Sequence, residues 1–254
     1  MRYIYGADTD IGIAKSTNQD SVLVKHGLVN GTEILMAVVC DGMGGLSNGE
    51  LASATVIRGF ERWFRERLPY ELVQPDLRVI SDRWVLLLKE LNSQILQFAS
   101  MAHLSMGTTF TGVLFLGNEF VVAHVGDSRL YYINDGVYQM TEDHTFIARE
   151  IRRGNMTPEQ AQMDRRRNML IQCIGAAERV EPQTYTGSVQ QGVYMICSDG
   201  FRHVITEDEI RNALHPSILT SSDVIKNNIR YLIEIDKQRQ ERDNISAIAI
   251  KAFE

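Results

Sequence analysis

"EILMAVVCDGMGG", residues 33–45, is a dense apolar run of strand length that ends in Asp41 and then in a turn of glycines around Met43. The β-branched and apolar members of Glu33–Cys40 predict a buried strand. An aspartate at the tip of such a strand has an ordinary explanation. Asp tolerates tight turns and Gly supplies positive φ, so Asp-Gly is a common turn pair. Asp41 alone therefore decides nothing, and its meaning depends on what surrounds it.

Downstream, residues 49 to about 68 carry Leu51, Ala54, Thr55, Ile57, Phe60 and Phe64 near helical spacing. A second helical stretch, about 77–101, carries Val85, Leu88, Leu91, Ile95 and Phe98. Strand-like segments follow in quick succession: "TTFTGVLFL", "EFVVAHVGD" and "RLYYI", with the hairpin signal "NDG" at 134–136. "GVYMICSD" and "NISAIAIKAF" are later strands of the same kind. Thr157-Pro158-Glu159-Gln160 and Thr206-Glu207-Asp208-Glu209 read as capped helix starts, and a last helix is expected over about 223–237. Helices grouped together and strands grouped together predict an α+β fold. Two antiparallel β-sheets packed as a sandwich, with helices on the outer faces, account for that order. No repeat, hinge or low-complexity linker interrupts it, so residues 1–254 are expected to form a single domain.

The bulk properties exclude several classes. With 254 residues, 44% of them hydrophobic, the chain can build a sizeable core. A formal net charge of −6 argues against a nucleic-acid or membrane-surface binder, which would show a basic excess. No stretch has the length of a membrane span, and the N-terminus turns acidic too early for a signal peptide. Cys40, Cys173 and Cys197 are odd in number and show no metal-finger spacing, as in a reduced, cytoplasmic protein.

Asp41 has company. Asp127 follows "FVVAHVG", Asp199 follows "VYMICS", Asp243 precedes the strand "ISAIAI", and Asp20 precedes "SVLV". Each has a turn or cap explanation of its own. If these strand ends meet, however, the carboxylates cannot all stay ionised without counter-cations. Hard divalent cations, Mg²⁺ or Mn²⁺, take oxygen ligands, whereas zinc prefers His and Cys, whose spacing is missing.

Seven segments, in order and across nearly the whole chain, resemble the metal-dependent (type 2C) serine/threonine protein phosphatases in their bacterial form. They are "TDIGIAKSTNQDS" (9–21), "VCDGMGG" (39–45), "MGTT" (106–109), "HVGDSRLY" (124–131), "TEDHTF" (141–146), "CSDGFRHVITEDEI" (197–210) and "RDNISAI" (242–248). The resemblance implies a sandwich with a dinuclear Mn²⁺ or Mg²⁺ centre at one end. By position, Asp41 would bridge both ions and Gly42 would offer its carbonyl to the second. Asp199 and Asp243 would complete the first ion's shell, and Asp20 would lie near the second through water. Asp127 with Asp199 matches a third-metal site of many bacterial members. The implied chemistry is attack on phosphoserine or phosphothreonine phosphate by a hydroxide bridging the ions. Substrates would be phosphorylated proteins, including a serine/threonine kinase and its targets.

Four positions depart from the common pattern. Lys15 stands where the family has an arginine for the substrate phosphate, keeping the charge but losing the fork. Gln19 replaces an acid near the second metal. Met43 and Leu46 occupy positions where family members carry a histidine, which leaves the leaving-group acid unassigned; His203 is a weak candidate. Residues about 144–180 match the family's variable flap, and their arginines fit either acidic substrates or a solvated surface. Three alternatives remain at this level, one of them of substrate only: some bacterial members of the family act on phosphoserine in anti-sigma antagonists, usually with sensor domains, and others reverse serine/threonine kinases. "GADTDIG" is similar to the Asp-x-Asp of haloacid-dehalogenase-like phosphatases, which would require a βαβ layout. A non-catalytic relative would typically have lost metal aspartates.

Overall fold

The computed structural model describes residues 1–43 and 48–254, so the expectation attached to Leu46 lies outside the described residues. Strands β1 (Arg2–Asp10), β2 (Ser21–Val29) and β3 (Thr32–Cys40) come first, with a two-residue β4 (Gly42–Met43) just past Asp41. Helices α1 (Gly49–Glu66), α2 (Leu68–Glu71) and α3 (Leu77–Ala102) follow. Next come β5 (Gly107–Thr108), β6 (Phe110–Leu116), β7 (Glu119–Val125), β8 (Arg129–Ile133) and β9 (Val137–Gln139). Two short helices, α4 (Phe146–Arg152) and α5 (Pro158–Met163), follow β9. The chain closes with β10 (Gln183–Ser188), β11 (Gly192–Cys197), α6 (Asp199–Arg202), α7 (Glu207–Leu214), α8 (Ser222–Gln238) and β12 (Ile245–Phe253).

The strands form two five-stranded sheets, β1-β12-β11-β8-β9 and β10-β7-β6-β3-β2, and a small pair β4-β5. Every one of these pairings is antiparallel. That excludes the βαβ layout of the Asp-x-Asp rival, and Asp8 instead sits in β1 with its carboxylate 2.9 Å from Arg230 of α8.

The apolar run of β3 is continuous because both of its faces are covered. Ile34, Met36, Val38 and Cys40 face α1 and α3, whose Phe60 and Trp84 pack ring to ring with each other and with Phe110 of β6. Leu35, Ala37 and Val39 alternate onto the other face and meet Leu130, Tyr194, Ile196, Ile248 and Ile250 of the second sheet. This middle layer is the sandwich core. The second sheet's outer face is covered by α7 and α8 through Ile210, Leu214, Ile225, Ile229, Leu232 and Ile233. Thr157 with Gln160, and Thr206 with Glu209, form reciprocal capping boxes as their spacing predicts.

Two strands were not legible. β1 reads "RYIYGADTD" and β10 "QTYTGS". Polar residues and glycine interrupt both, and each forms at a sheet edge by pairing with a strongly apolar partner, β12 or β7.

Candidate metal centre

The register of the sheets gathers the carboxylates at one end of the sandwich. Ser21 pairs with Cys40, so Asp20 and Asp41 extend side by side beyond β2 and β3. Cys197 pairs with Ala247, and the next rung, Ser198 N–H to Ser246 O at 3.0 Å, sets Asp199 near Asp243. Asp127 follows β7, after Gly126 at φ +111°, where an added Cβ would lie 2.6 Å from the Thr109 side chain.

Asp41 is fixed through its backbone, which leaves its carboxylate free. Its N–H donates to Thr109 Oγ1 (2.9 Å), and its carbonyl accepts from Thr109 N–H (2.8 Å) and the Thr108 hydroxyl (3.0 Å). Gly42 is wedged between two backbones. Its N–H donates to Gln19 O (3.2 Å), and a Cβ there would stand 2.4 Å from the carbonyls of Gln19 and Gly49. No side chain fits, so glycine is required for the close approach and not for φ. Asp243 accepts from Asn244 N–H (2.9 Å) and pairs with Lys15 Nζ (2.8 Å).

The carboxylates repel one another. Desolvation first, then the charges of Asp20, Asp199, Asp127 and Asp243, hold the Asp41 carboxyl well above the ordinary range. Asp20 is also raised, by burial first and by Asp199 and Asp243 next. The Ser198 and Ser246 hydroxyls lie close enough to ease its charge, but both Asp20 oxygens and Asp199 Oδ1 are buried without a hydrogen-bond partner among the described residues. The Ser198 hydroxyl instead accepts from Ser246 N–H (3.0 Å) and donates to Ser246 O (3.5 Å), and the Ser246 hydroxyl pairs with that of Thr9 (2.7 Å). Lys15 answers part of this charge. Its burial opposes ionisation, but Asp243, Asp41 and Asp199 together lift it above the usual lysine value.

The sequence matches the family of protein phosphatase 2C over residues 13–232. The chain belongs to the protein phosphatase 2C family. A protein phosphatase 2C-type of Streptococcus pyogenes serotype M6 is 30% identical over 94% of this chain and 93% of its own length. Among solved structures, the serine/threonine phosphatase of S. agalactiae superposes with a TM-score of 0.85 at 25% identity, covering 99% of this chain and 100% of that one. The catalytic domain of the serine/threonine protein phosphatase PstP, in complex with two manganese ions, gives 0.80 at 26% identity, covering 99% of each. This 2C phosphatase is thus a phosphoprotein hydrolase with the family's sandwich.

The donor set fits hard cations. Orphaned buried oxygens on Asp20 and Asp199, and an all-carboxylate cluster short of positive charge, call for divalent ions with oxygen ligands. Among the described residues no three His, Cys, Asp or Glu side chains form a ready-made cage. Mg²⁺ and Mn²⁺ keep much of their water and take one or two carboxylates each, whereas zinc sites favour His and Cys ligands.

The departures acquire partners. Gln19 Nε2 donates to Glu50 at 3.3 Å, so a carboxylate stands beside the position that lost its acid. His203 lies between Asp199 Oδ2 and Glu241 Oε2, 3.4 Å from each, a bridge across the loop that holds Asp243. Replacing His203 with Gln is expected to leave peptide hydrolysis within about tenfold, because distances of 3.4 Å mark weak contacts; a comparison of kcat checks it. Among the arginines of residues 144–180, Arg152 pairs with Glu142 (2.7 Å), Arg166 with Asp164 (2.7 Å), and Arg149 and Arg153 with Glu150 (3.1 and 3.7 Å). Most of these arginines are a paired surface.

Some positioning residues carried no sequence signal. Buried Asn244 accepts from Gln19 N–H (2.9 Å) and donates to the carbonyls of Ile11 (2.9 Å) and Thr17 (3.2 Å), pinning the loop that carries Lys15. Glu241 Oε1 accepts from the N–H groups of Arg242 (2.7 Å) and Asp243 (2.9 Å). Arg129 clamps Asp143 through Nε (2.8 Å) and Nη2 (2.7 Å).

Proposed function

We propose that this serine/threonine protein phosphatase works through two Mn²⁺ or Mg²⁺ ions held by Asp41, the Gly42 carbonyl, Asp199 and Asp243, with Asp20 adjoining the second ion. The observation that carries the assignment is the cluster itself: Asp41 faces four other carboxylates, and buried oxygens of Asp20 and Asp199 lack partners. When bound, the ions supply an activated water for in-line attack on phosphorus and neutralise the phosphate's charge. Thr108 and Thr109 hold Asp41 by its backbone, so the carboxylate needs no rearrangement to serve. Lys15, on a loop tied down by Asn244, holds the substrate phosphate by exchanging Asp243 for a phosphate oxygen. A cleft of about 830 Å³ runs from Lys15 and Asp243 past Ile147, Ile151 and Pro158, with room for residues flanking the phosphorylated one.

Residues 1–254 act as one catalytic domain in this proposal, with 144–180 as the flap beside the site. The substrates are phosphorylated proteins, and the phosphatase opposes a serine/threonine kinase. A cytoplasmic setting agrees with three unpaired cysteines. Among the described residues no helix is long and apolar enough to cross a membrane.

The test is hydrolysis of a phosphothreonine peptide by chelator-stripped protein, with and without Mn²⁺, beside Asp199→Asn. Activity that returns with Mn²⁺ in the wild type and not in the variant is expected. Mn²⁺ binding without hydrolysis would overturn the catalytic reading. Separately, Lys15→Ala is expected to raise KM for the peptide by roughly tenfold, the worth of one charge-assisted hydrogen bond, while calorimetry shows Mn²⁺ affinity kept or raised, because Asp243 is freed from its ion pair. An unchanged KM would remove Lys15 from phosphate binding.

A further inference from the structure

Resting on the two-ion reading, the expected third-metal site beside Asp127 meets a different occupant. Arg202 is the last residue of α6, three positions after Asp199, and its side chain is 85% shielded from solvent, at 15% exposure. Its backbone cannot drift, because Gly200 is pressed against Asn244 O and Phe201 is fully buried. Nη2 of Arg202 donates to the Asp127 carbonyl at 3.0 Å and lies 3.8 Å from both Asp127 Oδ2 and Asp143 Oδ2. Nε is buried without a partner. The guanidinium therefore does not grip one carboxylate in a fork. It stands as a positive charge between two.

Asp143 is already clamped by Arg129, so the guanidinium groups of Arg129 and Arg202 offset much of the charge of Asp127, Asp143 and Asp199 before any metal arrives. A dication joining Asp127 to Asp199 would enter against the charge of Arg202, which the 3.0 Å bond to the Asp127 carbonyl holds 3.8 Å from the Asp127 carboxylate. The residues beside Asp127 do not fit a third metal ion. We infer that Arg202 is a built-in cation in the place of the third ion, limiting this phosphatase to two metals.

The experiment counts bound Mn²⁺ on the full chain by calorimetry and by the manganese electron-spin signal, at millimolar Mn²⁺. Two ions are expected on the wild type, and two on Asp127→Asn. Three are expected on Arg202→Ala, and two again on the double variant Arg202→Ala/Asp127→Asn. Three ions on the wild type would overturn the inference even if Arg202→Ala failed to fold. Two ions on a folded Arg202→Ala would overturn it as well, leaving the dinuclear centre intact. Fewer than two on the wild type would instead sink the dinuclear reading, and this inference with it.

Discussion

Replacing Asp41 with Asn is expected to have two large effects of opposite sign. Hydrolysis of a phosphothreonine peptide should fall by more than about 100-fold. Loss of an outer partner of a metal site already costs 10–100-fold, and Asp41 is proposed to touch both ions. The metal-free protein, by contrast, should become more stable. Burial and then four like charges hold the folded Asp41 carboxyl well above its unfolded value. The native state therefore favours the protonated form. Its stability is full below the unfolded carboxylate pKa and declines as pH rises through the folded one. At neutral pH the metal-free wild type bears this repulsion, whereas an amide at position 41 does not. Relief on the order of 1–3 kcal/mol corresponds to several degrees in Tm for a chain of this size. Mn²⁺ should reverse the order, stabilising the wild type by mass action and the variant much less. Melting curves with and without Mn²⁺ check it. A variant less stable than the wild type without metal would show that Asp41 is held by its surroundings and not repelled by them.

How much of this centre could be read in advance depended on the kind of signal. Asp41 and Asp199 were legible because an apolar strand stops abruptly at each, and the helices because long periodic runs end in caps. Glu241, Asn244 and Arg202 were not. Glu241 sits in the charged run "RQERDN" and looks like solvated surface. It is buried, and it matters only because the following N–H groups turn toward it. Asn244 acts on Ile11 and Thr17, more than 220 positions away in the chain, and no local pattern encodes a partner so remote. Arg202 carries no local signal in "SDGFRH", and its role follows only from the fold, which sets Asp127 and Asp143 on either side of it. The same limit hid β1 and β10, whose strand state is imposed by β12 and β7.

Asp236→Asn is the stability change with the largest expected effect away from the metal centre. The buried stripe of α8 runs Ile225, Ile229, Leu232, Ile233 and Asp236, so a carboxyl group occupies a position that helical periodicity reserves for an apolar side chain. Neither of its oxygens has a hydrogen-bond partner. Burial first, then Glu241 and Glu209, push its pKa up to about 8, with Arg239 pulling the other way. The sign follows from linkage. The unfolded chain releases this proton near the ordinary Asp value and the folded protein only near pH 8, so stability declines as pH rises between those limits and levels off above. Asn is nearly isosteric and carries no charge at any pH. It should therefore flatten the pH–stability curve between about pH 4 and 8, with the largest gain at the alkaline end. A gain of roughly 2–4 kcal/mol at pH 8 is expected, below the full linkage value because water penetration softens a buried charge. For a chain of this length that is about 5–10 °C in Tm. Urea melts of both proteins at steps from pH 5 to pH 9 decide it. Parallel curves would mean that Asp236 ionises freely inside the fold, whereas convergence toward acid pH would identify it as a carboxylic acid kept neutral by its place in the α8 stripe.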